Sequence, residues 1–456
     1  MQIEEDWKKE NIEVLKEKCL DKLIKSGEAL TKDEVDELSS SLEKIDEAIL
    51  SLQKAKLELG QLFDLNELKR NFSLEDIRKF YTQDNFYIEE INGYLENNLN
   101  KRDYMFGYPS NMQSYSYTTQ YMRFLESKLY LMNNCGDPYQ RGNYGMDSKL
   151  IEKDIISLFA KNFGLSNGEY WGYITSGGTE SNYWAIREGF NNFPDGKLYF
   201  SKNAHYSVEK FVRNNEKIVY SYEAIDCNAN GTICTDKLIN AIERDYRNGV
   251  QGVVIVLTWG TTCHGSIDEV KKITDYLIKN NIPYYCHLDA ANFGGIPENQ
   301  INSPVLKNVK TLNINSLSIS LHKYLGMPRV NGILMAFTKS DRNIVEYIGQ
   351  EDSTYLGSRD FLPFSTLQRA REILLRSPSD SYAVNVEYFE TLLKERGINY
   401  FRFENANTFV IDKPNDEVCK KFQLATFFDG SKEKAHIIIY PFHKKEIMLE
   451  LANLIK

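Results

Sequence analysis

Ser318-Ile319-Ser320-Leu321-His322-Lys323 is a short, mostly apolar run that ends on a lysine, and it is one of a series. The apolar run Leu317–Ser320 that delivers this lysine shares its length and texture with Leu198–Ser201, Val253–Thr258, Tyr284–Asp289 and Gly332–Phe337. Such runs are too short for helices and too continuously apolar for a half-exposed strand, so they predict strands buried on both faces. Amphipathic segments such as Thr235–Tyr246 and Ile267–Lys279 lie between them. Strand, helix and strand at this spacing predict an α/β domain with a mostly parallel sheet. Ligands of such sheets gather beyond the carboxyl ends of the strands. The residues with chemistry to offer fall at those ends.

A lysine at a buried strand end is costly as an ammonium, and desolvation lowers its pKa. Lys323 is therefore a candidate amine for forming an imine with an aldehyde; a surface lysine after an edge strand is the plain alternative. His287-Leu288-Asp289-Ala290-Ala291 delivers a carboxylate in the same manner. Asp289 suits the nitrogen of a protonated pyridine, or else a structural cap. In Tyr173-Ile174-Thr175-Ser176-Gly177-Gly178-Thr179-Glu180 a strand enters a Gly-Gly turn before a helix. The N–H groups at that helix start form an anion cradle. Walker and GxGxxG spacings are absent. In Ser201–Ser207 an imidazole, His205, follows another strand, where it can stack on a flat ring and move a proton. Each signal has an ordinary structural reading. Taken together, in one domain, they are the parts of a pyridoxal 5′-phosphate (PLP) site.

Bulk properties narrow the function further. The chain has 456 residues, 42% of them hydrophobic, with 55 basic and 64 acidic residues and a net charge of −9. There is no basic surplus for nucleic acid or an anionic membrane, and the apolar runs are too short to span a bilayer. The start, MQIEEDWKKE, lacks a signal-peptide pattern, and the 7 cysteines show no CxxC pair. A cytoplasmic protein with reduced thiols and no metal site is expected.

Three stretches differ in texture. Residues 1–100 read as a helical extension: Thr31 and Glu34 form a capping box, and Val35, Leu38, Leu42, Ile45, Ile49 and Leu52 form an apolar seam. Residues 101–340 read as the α/β domain and 341–456 as a small α+β domain.

From about residue 106 onward the sequence resembles the PLP-dependent group II amino-acid decarboxylases, most of all bacterial histidine decarboxylases and plant serine decarboxylases. The resemblance runs through Gly107-Tyr108-Pro109-Ser110-Asn111, Asn133-Asn134-Cys135-Gly136-Asp137-Pro138 and Gly177-Gly178-Thr179-Glu180. It continues in His205-Tyr206-Ser207-Val208, Gly260-Thr261-Thr262, His287 to Ala291, Ser318 to Gly326, Gly357-Ser358-Arg359 and Gln423-Leu424-Ala425-Thr426. It implies fold type I, the aspartate aminotransferase-like PLP-dependent transferase fold, in a homodimer with the active site at the interface. Lys323 is then the cofactor-bound lysine, Asp289 the pyridinium partner, and His205 the ring-stacking residue that serves protonation. Gly178, Thr179, Ser320 and His322 surround the phosphate and the imine, and Thr262 and Ala291 line the ring. Ser353, Thr354 and Ser358 lie in a loop that the family lends to the neighbouring subunit. Tyr108, Asn111 and Ser358 are expected at the substrate pocket.

Around that pocket the chain departs from the histidine decarboxylase pattern, at Asp147–Leu150, Asn292–Gly295, Met327–Asn331 and Asp360–Pro363. The expected reaction is decarboxylation of a free L-amino acid to its amine. Oxidative decarboxylation–deamination, an acidic or non-standard substrate, and a non-enzymatic PLP-binding paralogue are the alternatives. Arg329 would pair with a carboxylate on an acidic substrate, or else form a surface salt bridge.

Overall fold

The computed structural model describes residues 97–98, 101–111, 133–215, 221–297, 300, 303–327, 330–339, 342, 344–360, 370, 374 and 381–455. The chain divides after Leu95, and every described residue belongs to the second unit. The capping box and apolar seam expected near the N-terminus lie outside the described residues, as does Arg329.

Seven strands form the main sheet: β1 (Trp171–Thr175), β2 (Lys197–Ser201), β3 (Tyr222–Ile225), β4 (Val253–Thr258), β5 (Tyr284–Asp289), β6 (Ser316–Ser320) and β7 (Gly332–Ala336). Their order is β1-β7-β6-β5-β4-β2-β3. The contacts among β3, β2, β4, β5 and β6 are parallel, and β7 runs antiparallel to both its neighbours. The predicted runs match these strands within a residue at either end.

The helices before and between them, α1 (Lys149–Asn162), α2 (Gly178–Asn192), α3 (Tyr206–Asn214), α4 (Thr235–Arg247) and α5 (Val270–Lys279), explain why the strands are apolar on both faces. In β4, Val254 and Val256 pack in a cluster with Ile186 of α2 and Val208 of α3. Val253, Ile255 and Leu257 join the opposite cluster, with Leu238 and Ile242 of α4 and Ile273 and Leu277 of α5. Alternate side chains thus meet apolar surface on either side. The stripe in α4, Leu238, Ala241 and Ile242, repeats at three and four residues and is buried.

The C-terminal part forms an antiparallel sheet of four strands, β8 (Tyr400–Arg402), β9 (Thr408–Asp412), β10 (Ala425–Asp429) and β11 (Lys432–Ile438), in the order β8-β9-β11-β10. Helices α6 (Ser381–Glu395), α7 (Asp416–Lys421) and α8 (Lys445–Leu454) accompany it. The apolar cluster that holds Ile255 continues into Phe409, Ile411 and Ile437, so one core serves both sheets. Residues 344–360 return to the main sheet, where the Tyr355 N–H donates to the Tyr173 hydroxyl at 3.1 Å. Among the described residues no helix is long and apolar enough to cross a membrane.

Segment 105–111 joins the two sheets. Ile438 donates its N–H to the Phe106 carbonyl, and His436 Nε2 donates to the Gly107 carbonyl at 3.0 Å. At its far end the Asn111 N–H donates to the Lys323 carbonyl at 2.8 Å. A Cβ on Gly107 would stand 2.2 Å from the Gln423 carbonyl oxygen, so only glycine permits this approach.

Candidate active site

Sheet register sets one row of polar residues. Asp289, the last residue of β5, pairs with Thr258 on one side and Ser318 on the other. Two residues further along β6, Ser320 pairs with Gly332, and the chain then turns into Lys323. Beyond these strand ends lies a cavity of about 220 Å³. Gly178, Thr179, His205, Thr262, Asp289, Ala291, Ser320, His322 and Lys323 all line it, together with Ser176, Gly177, Tyr206, Thr258, Gly260 and Val330. Nine positions expected from five distant motifs therefore share one space.

The electrostatics follow from burial. Lys323 reaches a site where desolvation pushes its amine below the ordinary lysine range, against the pull of Asp289. Burial pushes the Asp289 carboxyl upward, but His205, Lys323, the Asn182 amide and His287 together hold it below the usual carboxylate range. The Ala291 N–H also donates to Asp289 Oδ1, at 3.1 Å. Desolvation lowers His205 as well, countered by Asp289, so its imidazole is neutral near pH 7.

At the cavity's other end, α2 begins after Gly177, whose φ of 127° suits glycine. Glu180 Oε2 accepts the Ser176 N–H at 2.7 Å, pinning the turn. The first N–H groups of a helix have no partner within it and carry the positive end of its dipole, so this turn presents an anion cradle. A Cβ on Gly178 would reach to 3.2 Å from Ser320 Oγ and 3.5 Å from Ala291 Cβ, occupying part of that cradle.

A second cavity of about 380 Å³ adjoins the first, with Lys323 and Thr262 lining both. Its other walls are Gly107, Tyr108, Pro109, Asn292, Gln423, Leu424, Ala425 and His436. Asn292 Oδ1 and His436 Nδ1 are buried without a hydrogen-bond partner among the described residues. Because His436 Nε2 donates to the Gly107 carbonyl, Nδ1 carries a free lone pair.

Other expected residues lie elsewhere. Asn111 lines neither cavity; its Nδ2 donates to the Tyr324 carbonyl at 3.0 Å and fastens the loop that carries Lys323. Ser353 and Thr354 are buried against α2, where their carbonyls accept from Trp184 Nε1 at 2.6 Å and the Arg187 guanidinium at 3.3 Å. Ser358 is exposed, and its hydroxyl accepts from Asn133 Nδ2 at 3.1 Å. The sequence reading missed Asn182, Ser316 and His436. Asn182 alone left a trace, as an amide one turn into the helix that follows the Gly-Gly turn.

An anion cradle, a carboxylate held ionised and an amine held below its usual pKa, all around one cavity, fit PLP: a phosphate, a pyridinium and an aldehyde. Comparison with known proteins agrees. Residues 195–372, which include Lys323, match the pyridoxal-dependent decarboxylase conserved domain. The chain is 32% identical over 375 residues to a histidine decarboxylase of Pseudomonas entomophila, covering 79% of this chain and 88% of that one. It is 30% identical over 375 residues to serine decarboxylase 2 of Oryza sativa, covering 78% and 76%. L-methionine decarboxylase from Streptomyces sp.590 shares the fold, with a TM-score of 0.67 at 18% identity over 81% of this chain and 94% of that one. With the cavity's chemistry and these relatives in agreement, the chain belongs to the pyridoxal-dependent decarboxylase family, as an amino-acid decarboxylase that uses PLP.

Proposed function

We propose that this enzyme converts a free L-amino acid whose side chain donates a hydrogen bond into the corresponding amine and CO₂. The observation that carries this reading is the meeting of two cavities at Lys323, one suited to the cofactor and one to a substrate side chain. Histidine and serine, the substrates in the relatives' names, are the first to test. Asn292 and His436, both on the second cavity's wall and each holding a buried acceptor with no partner among the described residues, favour a hydroxyl or an N–H over a side-chain carboxylate.

In this reading Lys323 holds the cofactor covalently, and Asp289 holds its ring nitrogen. His205 lies against the ring and handles the proton at the substrate α-carbon. Gly178, Thr179, Ser320 and His322 surround the phosphate end, and Thr262 and Ala291 border the ring. Bound PLP supplies the electron sink for the pair left behind as CO₂ departs. Tyr108, at the outer wall of the second cavity, borders the substrate's entry.

A homodimer completes the reading. Met146, Leu150, Ile344 and Tyr347 are large apolar side chains more than 60% exposed. They lie on two segments that the Asn143 N–H joins to the Ile348 carbonyl at 2.8 Å. Burying such a patch against a second copy removes apolar surface from water. Ser353 and Thr354, which line neither cavity of their own chain, lie on the same returning segment.

The test is to purify the protein with PLP, record its visible spectrum and its mass by light scattering, and screen amino acids for CO₂ release, with Lys323→Ala as control. A cofactor band that the variant lacks, with CO₂ from one or a few amino acids, is expected. A band without CO₂ from any amino acid overturns simple decarboxylation of the common amino acids.

A further inference from the structure

Asn182 is buried in the first turns of α2 and uses every hydrogen-bonding position of its amide. Nδ2 donates to Asp289 Oδ2 at 2.8 Å and to Ser207 Oγ at 2.9 Å. Oδ1 accepts from His287 Nε2 at 3.0 Å and from the Ser318 hydroxyl at 3.4 Å. An ionised carboxylate only accepts, so Asp289 fixes which end of the amide faces it. His287 must then carry its proton on Nε2.

That assignment runs on through the core. His287 Nδ1, left as an acceptor, lies 2.8 Å from Ser316 Oγ and accepts a hydrogen bond from the serine O–H. Ser316 Oγ in turn accepts from the Tyr285 hydroxyl at 3.1 Å. Burial lowers the His287 pKa to about 4, which keeps this imidazole neutral. In the other direction Ser207 Oγ, already an acceptor from Asn182, donates to His205 Nδ1 at 2.8 Å. His205 then carries its own proton on Nε2. One direction of donation satisfies the path from Tyr285 to His205, and Asn182 is its branch point.

We infer that Asn182 is a positioning residue that fixes both the ionised, oriented state of the Asp289 carboxylate and the tautomer of His205, with His287, Ser316 and Tyr285 as the relay that holds it. The inference rests on the reading above, in which Asp289 and His205 face the cofactor ring. It adds the group through which the two are coupled.

The test uses the holoenzyme with its best substrate from the CO₂ screen. Three quantities are read: the pH titration of the cofactor's visible band, the split between kcat and KM, and the pH profile of kcat. Asn182→Leu is expected to keep cofactor bound through Lys323. It should move the titration midpoint by about half a pH unit or more. It should also cut kcat by about tenfold or more with KM within about threefold. His287→Leu should act in the same direction. His287→Asn, whose amide N–H can still donate toward Asn182 Oδ1, should recover most of the loss.

An Asn182→Leu enzyme with the wild-type midpoint and kcat overturns the inference, even if its melting temperature falls. If Asn182→Leu does not fold, the two His287 variants decide: an unchanged midpoint and kcat in both, or equal losses without recovery by asparagine, overturns it. A wild-type protein with no cofactor band refutes instead the reading on which the inference rests.

Discussion

The two cavities that meet at Lys323 are built from different material. Apart from Val330, the first is lined from five short stretches: residues 176–179, 205–206, alternate residues of 258–262, Asp289 with Ala291, and Ser320 with His322 and Lys323. These are the carboxyl ends of β1, β2, β4, β5 and β6 and the turns that follow them. Strand register alone places Thr258, Asp289 and Ser318 in a row. The second cavity borrows from three remote parts of the chain: segment 107–109, Asn292 beyond β5, and Gln423–Ala425 with His436 from the small sheet. Its shape depends on the clamp between segment 105–111 and the small sheet, not on register. On the proposed reading the fold itself carries the cofactor chemistry and a joint selects the side chain, so changes at the two should be separable.

The largest effect is expected at Asp289. Asp289→Asn keeps size and shape but removes the charge that the site holds ionised. An electrostatic partner of this kind is worth about 10²- to 10³-fold in kcat. Because the folded site holds the Asp289 carboxyl below its usual range, wild-type Asp289 takes up a proton only at pH values below that range. The deficit of the variant should therefore be nearly constant from mildly acidic to mildly alkaline pH. A deficit that vanishes toward pH 5, measured as kcat against pH for both proteins, would show that Asp289 titrates there and that the first cavity is less fixed than its register implies.

Next comes the cradle. A single methyl at Gly178 makes an ordinary contact with Ala291 Cβ at 3.5 Å and a tight one with Ser320 Oγ at 3.2 Å, which the hydroxyl must relieve by a few tenths of an ångström, so Gly178→Ala should cost only a small part of the PLP affinity. Gly178→Val adds branched atoms next to Ser320 and Ala291, where an anion has to sit. It should weaken PLP binding by about ten- to a hundredfold, the worth of one or two lost charge-assisted hydrogen bonds. Equilibrium titration of apoenzyme with PLP measures this. Equal affinities for the alanine and valine variants would place the phosphate elsewhere.

The same contrast explains what could be read from the sequence. Strand-end residues of a buried parallel sheet announce themselves: an apolar run stops, and a Lys323, an Asp289 or a His205 follows. Each motif is local, and the sheet brings the motifs together without further information. The predicted strands, Lys323, Asp289, His205 and the Gly-Gly turn were legible for that reason; Ser320, His322, Thr262 and Ala291 were expected through the family resemblance, and they line the same cavity. The second cavity was not. His436 sits on β11, 113 residues after Lys323, and reads as an ordinary strand histidine until the Gly107 carbonyl is seen to fix its tautomer. Asn111 was expected at the pocket through the family resemblance of the Gly107–Asn111 motif. The chain instead spends its side chain on the loop that holds Lys323. Asn182 escaped because a buried amide has meaning only through its partners, and those come from α3, β5 and β6.

The smallest expected effect separates the two cavities most cleanly. Asn292 lines the second cavity and not the first. Asn292→Leu keeps roughly the same bulk and removes a buried amide oxygen that has no partner among the described residues. For a substrate with a hydroxyl or N–H side chain, losing that acceptor should lower kcat/KM by about five- to fiftyfold, the usual worth of one buried hydrogen bond. An apolar amino acid of similar size should lose nothing or gain, because the variant no longer leaves a polar atom unpaired against it. The cofactor band and its PLP affinity should not move. Competition between the best polar substrate and methionine, run on both proteins, measures the shift in preference directly. If preference stays constant while the cofactor band shifts, Asn292 acts on the cofactor. The joint between the sheets would then be part of the first site, and the division drawn between the two cavities would fail.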